Sequence, residues 1–353
     1  MKKLDNTKSL LKKYDVDAIL VMSEFNRRYL SDFTGSSGAV IITNDAEYLI
    51  SDFRYNVQAR EESPHFEFVL QNKGLLPFII EFLKSKDIKK LGFEGEYTNY
   101  NDYSKLESEF DLEAITGEFE KMRMVKSEEE IAHIQKACEI VDKAYEHILT
   151  FVKAGMTELE VKAELEYKMA QLGSEGPSFD TIVASGYRGA LPHATPSEKV
   201  IEDGDLVTLD FGATYNGYVS DITRTFGVGN VSDELRNVYN IVLESQLKSL
   251  ETIQAGFTGK EADKIARDII TENGFGENFG HSLGHGIGLE VHEGPGLAKT
   301  VDTVLEENMI ITIEPGIYVE NLGGVRIEDD AIVTKEGLKK LTHSSKELFI
   351  INN

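Results

Sequence analysis

The sequence predicts a two-domain α+β protein, with a smaller α/β domain over residues 1–120 and a larger domain over residues 121–353 in which helices cover a sheet. Two patterns carry this prediction. Short apolar runs alternate with helix-like stretches in the first part, whereas the second part combines long amphipathic helices with two hairpin patterns. The length of 353 residues suits two domains, since domains usually contain roughly 100 to 200 residues.

Four apolar runs are expected to form strands of the first domain: Ala18–Met22, Ala39–Thr43, Tyr48–Ser51 and Phe66–Gln71. The segment Phe33–Gly38 is rich in glycine, but it lacks the Gly-Lys-Ser/Thr ending and the following helix of a phosphate-binding loop. A turn is therefore the favoured interpretation, and we assign no chemistry to this domain.

The second domain is predicted to begin near residues 120–126 and to open with a long helix, because Ser127 and Glu130 have the spacing of a capping box. Apolar residues recur along this helix every three or four positions and place Cys138 on the buried side, which predicts an inert core thiol. Two more amphipathic helices are predicted at Ser232–Gln254 and Lys260–Asn273. Helices of this kind must cover an apolar surface, and we expect that surface to be a sheet.

Charge and cysteine content narrow the classes of function. Lys and Arg number 37 against 61 Asp and Glu, and the net charge of -24 would repel phosphate backbones and anionic lipid headgroups. The single cysteine cannot form an intrachain disulfide. The sequence has neither an apolar leader after Met1-Lys2-Lys3 nor an apolar run of about 20 residues that would span a membrane. We therefore expect a cytoplasmic protein without nucleic-acid or membrane partners.

The first predicted hairpin turns at Asn216-Gly217, a dipeptide that favours a two-residue turn. Counting outward from this turn sets Asp210 opposite Thr223, and Asp221 then lies diagonal to Asp210 on the same face. Diagonal neighbours lie about 7 to 8 Å apart at the backbone, close enough for two carboxylates to share metal ions. The alternative is a slipped register that turns one of these aspartates to solvent.

A second acidic pair repeats this arrangement. The segment around Glu314 matches the segment around Asp210 in its order of strand, acid and glycine, and Glu328 corresponds to Asp221 on the next strand. Two more acids follow Glu328, so a solvated acidic turn is the alternative interpretation. Apolar residues on both sides of these acids favour a strand that enters the interior instead. The two pairs together would bring four carboxylates to one centre.

Between the hairpins, the segment 278–296 holds His281, His285 and His292 among six glycines and a proline. This composition is too rich in helix breakers for a stable helix. In an extended chain His281 and His285 share one face, while His292 points to the other unless the glycines turn the chain. A structural loop with incidental histidines is the alternative. One imidazole added to four carboxylates would give a site for two divalent ions that suits Mn²⁺ and also admits Co²⁺, Zn²⁺ or Fe²⁺.

The ordered series of candidate ligands resembles that of the pita-bread metallopeptidases, a family that includes methionine aminopeptidase, aminopeptidase P and prolidase. The motifs Gly284–Gly288 and Ile313–Gly316 support the resemblance, which covers residues 120–353. Residues 1–120, including Tyr29–Gly35, are similar to the N-terminal domain of the proline-directed members. The resemblance implies that the second domain is a pita-bread domain, a curved antiparallel sheet covered by helices.

The resemblance also implies a role for each matched residue. Asp210 would bind one metal and Asp221 both, whereas His285 and Glu314 would bind the other and Glu328 would bridge the two. Glu314 would also take a proton from the attacking water and pass it to the leaving prolyl nitrogen.

Five further matched residues would surround the metals. His193 would lie at the rim of the substrate site, and His281 and His292 would contact the scissile residue or the developing negative charge. Arg326 and Tyr318 would lie beside the metals.

The implied function is removal of the residue before proline from Xaa-Pro dipeptides, longer Xaa-Pro peptides or both, by a hydroxide that bridges two metal ions. A homodimer is expected. The alternatives are a peptide-binding protein without turnover, which the intact ligands disfavour, and a methionine aminopeptidase, which the N-terminal domain disfavours. Many prolidases clamp the dipeptide carboxylate with an arginine soon after the stretch matching His292, but none occurs here before Glu314, so Lys299 is the candidate for a weaker clamp.

Overall fold

The computed structural model describes residues 2–352, and the chain divides into one compact unit that ends at Arg123 and a second that begins at Met124. Both units combine helices and sheets, which confirms the predicted α+β class. Each unit has an apolar core of its own. Within residues 2–352, no helix is long and apolar enough to cross a membrane.

The first unit is built on one sheet of six strands: β1 (Ala18–Val21), β2 (Ala39–Thr43), β3 (Glu47–Ser51), β4 (Glu67–Leu70), β5 (Lys90–Glu94) and β6 (Asp111–Ile115). Their order across the sheet is β4-β3-β2-β1-β5-β6, and β2 is antiparallel to both of its neighbours. The central strand β1 is entirely apolar and buried, as expected for a strand covered on both faces. The helices in this part of the chain are α1 (Lys2–Lys13), α2 (Glu24–Ser31), α3 (Gln58–Glu62), α4 (Leu75–Ser85), α5 (Tyr100–Glu107) and α6 (Glu118–Met124).

The glycine-rich segment between α2 and β2 is a turn, as predicted. Arg27, a buried residue of α2, donates hydrogen bonds to the carbonyl oxygens of Gly35 at 2.7 Å and Gly38 at 3.0 Å. The turn is therefore folded around a guanidinium group and leads directly into a strand.

In the described part of the second unit, four long helices flank the sheets: α7 (Glu128–Phe151), α8 (Glu158–Gln171), α9 (Asp233–Thr252) and α10 (Gly259–Glu272). The predicted capping box opens α7, since the Ser127 hydroxyl accepts from the Glu130 N–H and the Glu130 carboxylate accepts from the Ser127 N–H. Cys138 is buried in α7, as predicted.

The strands of the second unit are β7 (Ile182–Ser185), β8 (Leu206–Phe211), β9 (Thr214–Tyr215), β10 (Tyr218–Val219), β11 (Ile222–Val228), β12 (Gly284–Gly286), β13 (Glu293–Leu297), β14 (Ile310–Ile313), β15 (Gly316–Val319), β16 (Gly323–Arg326), β17 (Asp329–Thr334), β18 (Gly337–Lys340) and β19 (Ile350–Ile351). They form a sheet in the order β19-β11-β8-β7, a sheet in the order β13-β12-β14-β17-β18, and the two short ribbons β9-β10 and β15-β16. The hydrogen-bonded ladders of the predicted sheet are thus divided among several pieces.

One of these breaks has a local cause in the sequence. Pro315 has no N–H with which to continue a ladder, and it separates β14 from β15 directly after Glu314. The register of β14 with β17 continues without a shift into that of β15 with β16. Glu314 and Glu328 both lie in the gap between these two ladders.

The first hairpin has the predicted register. Asp210 of β8 pairs with Thr223 of β11. Asn216 and Gly217 both have positive φ, of 47° and 71°, which is the conformation of the two-residue turn that the dipeptide favours. The alternative of a slipped register is therefore wrong.

Candidate metal centre

The ten residues predicted for the site surround one cavity of about 660 Å³ in the second unit. They come from hairpins, loops and strands that are far apart in the sequence: His193, Asp210, Asp221, His281, His285, His292, Glu314, Tyr318, Arg326 and Glu328. The fold therefore brings together every candidate ligand and every candidate catalytic side chain.

The carboxylates and one imidazole form a compact group within this cavity. Ligand atoms of Asp221, His285 and Glu328 all lie within 4.8 Å of one another. The Nε2 atom of His285 lies 3.3 Å from Oε1 of Glu314 and 3.7 Å from Oδ2 of Asp221. Asp210 adjoins the group and accepts a 2.5 Å hydrogen bond from Arg326.

The backbone around His285 explains the Gly-His-Gly pattern of β12. A side chain at Gly284 would place its Cβ 2.0 Å from the carbonyl oxygen of Thr312, and one at Gly286 would place it 2.1 Å from the carbonyl oxygen of Gly294. The two glycines let β12 fit between its neighbours. The His285 N–H donates to Thr312 and its Nδ1 lies 3.1 Å from the Gly286 carbonyl oxygen, so Nε2 faces the carboxylates.

The chain turns after β12 and brings His292 back against His285, with 4.4 Å between the ring centroids. His281 lies nearby, and its Nε2 is 2.9 Å from the hydroxyl of Tyr318. That hydroxyl in turn accepts a 2.8 Å hydrogen bond from Arg326. All three imidazoles of the segment face one cavity, so a loop with incidental histidines does not describe it.

Comparison with known protein families shows which family this chain belongs to. A family described as metallopeptidase family M24 matches residues 132–335, which is more than half of the chain. The chain belongs to metallopeptidase family M24. A second description, creatinase/prolidase N-terminal domain, matches residues 3–125. The resemblance to the proline-directed metallopeptidases is confirmed.

The matches to similar M24 proteins cover nearly the whole chain. An Xaa-Pro dipeptidase of Pyrococcus horikoshii is 44% identical over 343 residues, which cover 95% of each protein. The structure of an Xaa-Pro dipeptidase from Bacillus anthracis has a TM-score of 0.96 and 50% identity and covers 99% of each chain. The structure of an X-Pro aminopeptidase from Thermotoga maritima has a TM-score of 0.90 and 42% identity, and the match covers 96% of this chain and 99% of that one.

Membership of a metallopeptidase family implies divalent metal ions, and the electrostatics of this M24 site fit such ions. Burial and the negative charges of Glu328 and Asp210 raise the pKa of Asp221 well above its ordinary value. Burial, reinforced by the charges of Glu314 and Asp210, does the same to the pKa of Glu328. Burial also acts to raise the pKa of Glu314, but the hydrogen bond and charge of His285, together with the charges of His281 and Arg326, lower it overall. The crowded carboxylates therefore require positive charge.

Hydrogen bonding gives a second, independent sign of a cation site in this M24 chain. Among the described residues, one carboxylate oxygen each of Asp210, Asp221 and Glu328 is buried without a hydrogen-bond partner. Leaving a buried polar group unsatisfied costs about 1 to 3 kcal/mol, so native proteins rarely do so without compensation. Divalent cations would satisfy these oxygens.

Sequence reasoning missed a layer of buried charges behind the candidate ligands. Asp330 accepts hydrogen bonds from the N–H of Asp221 at 2.9 Å and from the thiol of Cys138 at 3.3 Å. The Cys138 thiol thus has a specific partner beside the site. The interpretation of the acids at 328–330 as a solvated turn is wrong, because all three are buried.

Arg224 is the second buried charge that the sequence did not reveal. Its guanidinium donates to the carbonyl oxygens of Thr223 and Glu328 and forms a 2.7 Å ion pair with Asp329. It therefore fixes the backbone on both sides of the contact between the two hairpins. Its sequence neighbours gave no signal for this role, because Glu328 and Asp329 lie more than a hundred residues away in the chain.

The crowding of carboxylates predicts a pH-dependent effect of Asp221→Asn in metal-free protein. Because the pKa of Asp221 is raised on folding, the folded state holds this proton after the unfolded state has released it, and stability falls as the pH rises through that interval. The Asp221→Asn variant has no carboxyl group at this position, so its stability does not fall in this way. It should be more stable than the parent at about pH 8, with a smaller difference at about pH 5. Urea unfolding in the presence of a chelator measures both.

The exposed Asp302→Asn change serves as the control and should alter stability little at either pH. A parent protein that matches Asp221→Asn in stability at both pH values would show that the carboxylates do not repel one another as described.

Proposed function

We propose that this chain is a metal-dependent Xaa-Pro peptidase, which hydrolyses the bond between an N-terminal residue and proline. The observation that supports this most directly is the group of four carboxylates and one imidazole that lines a substrate-sized cavity. The similar proteins named above, at 42% to 50% identity, are Xaa-Pro dipeptidases and an X-Pro aminopeptidase.

We assign the metal-binding role to five side chains: Asp210, Asp221, His285, Glu314 and Glu328. Their oxygen-rich character and unpartnered carboxylate oxygens fit two hard divalent ions, and we propose manganese as the resident metal. When bound, the ions would supply a water of lowered pKa and polarise the scissile carbonyl. A homodimeric assembly and a cytoplasmic location stay predictions of the sequence.

Other side chains of the site would stabilise the oxyanion, transfer the proton and contact the substrate. Burial and the neighbouring charge of His285 lower the pKa of His292, so its imidazole is neutral near pH 7 and can donate a hydrogen bond to a developing oxyanion. Glu314 has a lowered pKa and is ionised, so its carboxylate can accept a proton and return it to the prolyl nitrogen. His193 also lines the cavity and would contact the substrate.

His281 has a more restricted role than a direct contact with the substrate. Its Nδ1 faces the carbonyl oxygen of Ser282 at 2.8 Å, so this nitrogen carries the proton and Nε2 accepts from the hydroxyl of Tyr318. Arg326 donates to the same hydroxyl and to Asp210. We propose that this chain of hydrogen bonds orients the Tyr318 hydroxyl and the guanidinium beside the metal ligands.

A substrate panel tests the proposed function. Purified protein treated with a chelator and then given Mn²⁺ or Co²⁺ should hydrolyse Xaa-Pro dipeptides or Xaa-Pro tripeptides, and it should leave Met-Ala-Ser intact. Cleavage of Met-Ala-Ser alone would indicate a methionine aminopeptidase. Binding of Xaa-Pro peptides without turnover under any of these metals would indicate a peptide-binding protein.

Replacing the two adjacent histidines one at a time separates metal binding from oxyanion stabilisation. His285→Ala should lose bound metal, whereas His292→Ala should keep it and lose turnover by a factor of about 10² to 10³. Metal analysis and steady-state kinetics on both variants provide the measurement. Equal loss of metal in the two variants would refute the separate roles.

We propose Lys162 in place of Lys299 as the residue that binds the substrate's carboxylate. Lys299 follows β13 on an exposed segment and does not line the cavity. Among the described residues that line the cavity, only Lys162 and Arg326 carry a permanent positive charge, and Arg326 is already engaged. The Nζ atom of Lys162 lies 3.7 Å from a carboxylate oxygen of Glu166, a weak pair that a substrate carboxylate could replace.

Lys162→Ala should therefore raise KM for Xaa-Pro dipeptides more than KM for Xaa-Pro-Xaa tripeptides, because only the dipeptide ends at proline. Lys299→Ala is the matched control and should change neither. Kinetics with both substrate lengths on both variants make the comparison. An equal effect of Lys162→Ala on the two substrate lengths would exclude a carboxylate clamp at this position.

A further inference from the structure

A buried carboxylate outside the candidate metal centre closes the loop that carries His193. We define the His193 loop as residues 186–196, between Ser185 at the end of β7 and Ser197. Five consecutive residues of this loop, Pro192–Pro196, line the cavity. The position of this loop therefore shapes one wall of the site.

Glu158, the first residue of α8, holds both ends of the His193 loop. Its Oε1 accepts from the N–H of Ser185 at 2.8 Å and from the Ser185 hydroxyl at 2.9 Å. Its Oε2 accepts from the N–H of Ser197 at 3.0 Å and from the Ser197 hydroxyl at 2.7 Å. Arg188, inside the loop, completes the set with Nε 3.0 Å from Oε2. One carboxylate thus satisfies five donors of the loop and its two ends.

The position of Glu158 at the start of α8 does not explain these contacts. The N-terminus of α8 is capped by Thr157 and Glu160, which form a complete capping box of their own. Glu158 is fully buried, whereas Glu160 makes its bonds at the surface. A buried carboxylate is costly unless its oxygens are satisfied, and here all the side-chain partners found belong to the loop region.

The other side of the His193 loop is joined to the candidate metal centre. The Pro192 carbonyl oxygen accepts a 3.3 Å hydrogen bond from Arg326, which also donates to Asp210. Gly189 lies so close to Gly324 that a Cβ at Gly324 would be 2.1 Å from the Gly189 carbonyl oxygen. The loop therefore has little freedom as long as its ends remain closed.

We propose that Glu158 is a positioning residue, which holds the two ends of the His193 loop together so that His193 and its neighbours form the substrate-binding wall. The kinetic consequence rests on the proposed Xaa-Pro peptidase function, whereas the conformational consequence does not. Loss of Glu158 should loosen the loop and weaken substrate binding while the metal ligands stay in place.

Glu158→Gln tests this inference. The amide keeps the size of the side chain but replaces one carboxylate oxygen by an NH₂ group, which cannot accept the hydrogen bonds that Ser185 or Ser197 donates to that oxygen. In metal-loaded protein the variant should keep its metal content. It should show a KM for Xaa-Pro substrates raised about tenfold or more, with a smaller change in kcat. Limited trypsin digestion should cut after Arg188 faster than in the parent, because the ion pair that holds this side chain is lost.

Glu160→Gln is the matched control, since it weakens the cap of the same helix without touching the His193 loop. It should leave KM and cleavage after Arg188 unchanged. Ser197→Ala removes one donor and supplies a milder variant if Glu158→Gln does not fold. It should shift KM and trypsin cleavage in the same direction by a smaller factor.

Unchanged KM and unchanged cleavage after Arg188 in the folded Glu158→Gln or Ser197→Ala protein would overturn the positioning role. So would equal effects of Glu158→Gln and Glu160→Gln on both measurements. If parent and variants all fail to cleave Xaa-Pro substrates, the proposed function fails, and trypsin cleavage after Arg188 still decides whether Glu158 holds the loop.

Discussion

Mutual repulsion among four carboxylates at one cavity is the constraint on which the arrangement of the candidate metal centre depends. Groups of like charge in a small buried volume cannot all ionise without compensating charge. Arg326 supplies a fixed positive charge beside Asp210, and the imidazole of His285 lies against Glu314. The unpartnered oxygens of Asp210, Asp221 and Glu328 mark where the fixed charges of the chain are insufficient. Divalent ions would complete this compensation, which is why the chemistry and the fold of the site cannot be separated.

Backbone contacts between the two hairpins hold these charges together against their repulsion. The N–H of Glu328 donates to the Thr223 carbonyl oxygen at 3.0 Å, and the Thr223 hydroxyl donates to the Glu328 carboxylate at 2.6 Å. Arg224 bonds to the carbonyl oxygens of the same two residues. Asp330 fixes the backbone of Asp221. The carboxylates are therefore positioned by main-chain geometry, and the interruption of the sheet after Glu314 provides the room for them.

Much of this arrangement could be predicted from local sequence patterns. The turn at Asn216-Gly217 determined which residue faces Asp210, and the capping box determined where α7 begins. Contacts between residues that are far apart in the sequence could not be predicted from these local patterns. The hydrogen bonds from Arg224 to Glu328 and from Asp221 to Asp330 join residues more than a hundred positions apart. The sequence could not show that Lys299 lies outside the cavity lining, because this depends on the path of the chain after β13. Glu158 had no distinguishing signal among the acids that commonly begin a helix.

The proposed catalytic roles depend on the binding of a pair of divalent ions by five side chains from the two hairpins and from β12. Anomalous diffraction from crystals grown with Mn²⁺ tests it most directly. Two anomalous peaks should appear, with Asp221 and Glu328 shared between them, Asp210 on one ion, and His285 and Glu314 on the other. A single peak, or peaks bound by residues outside this set, would contradict the account.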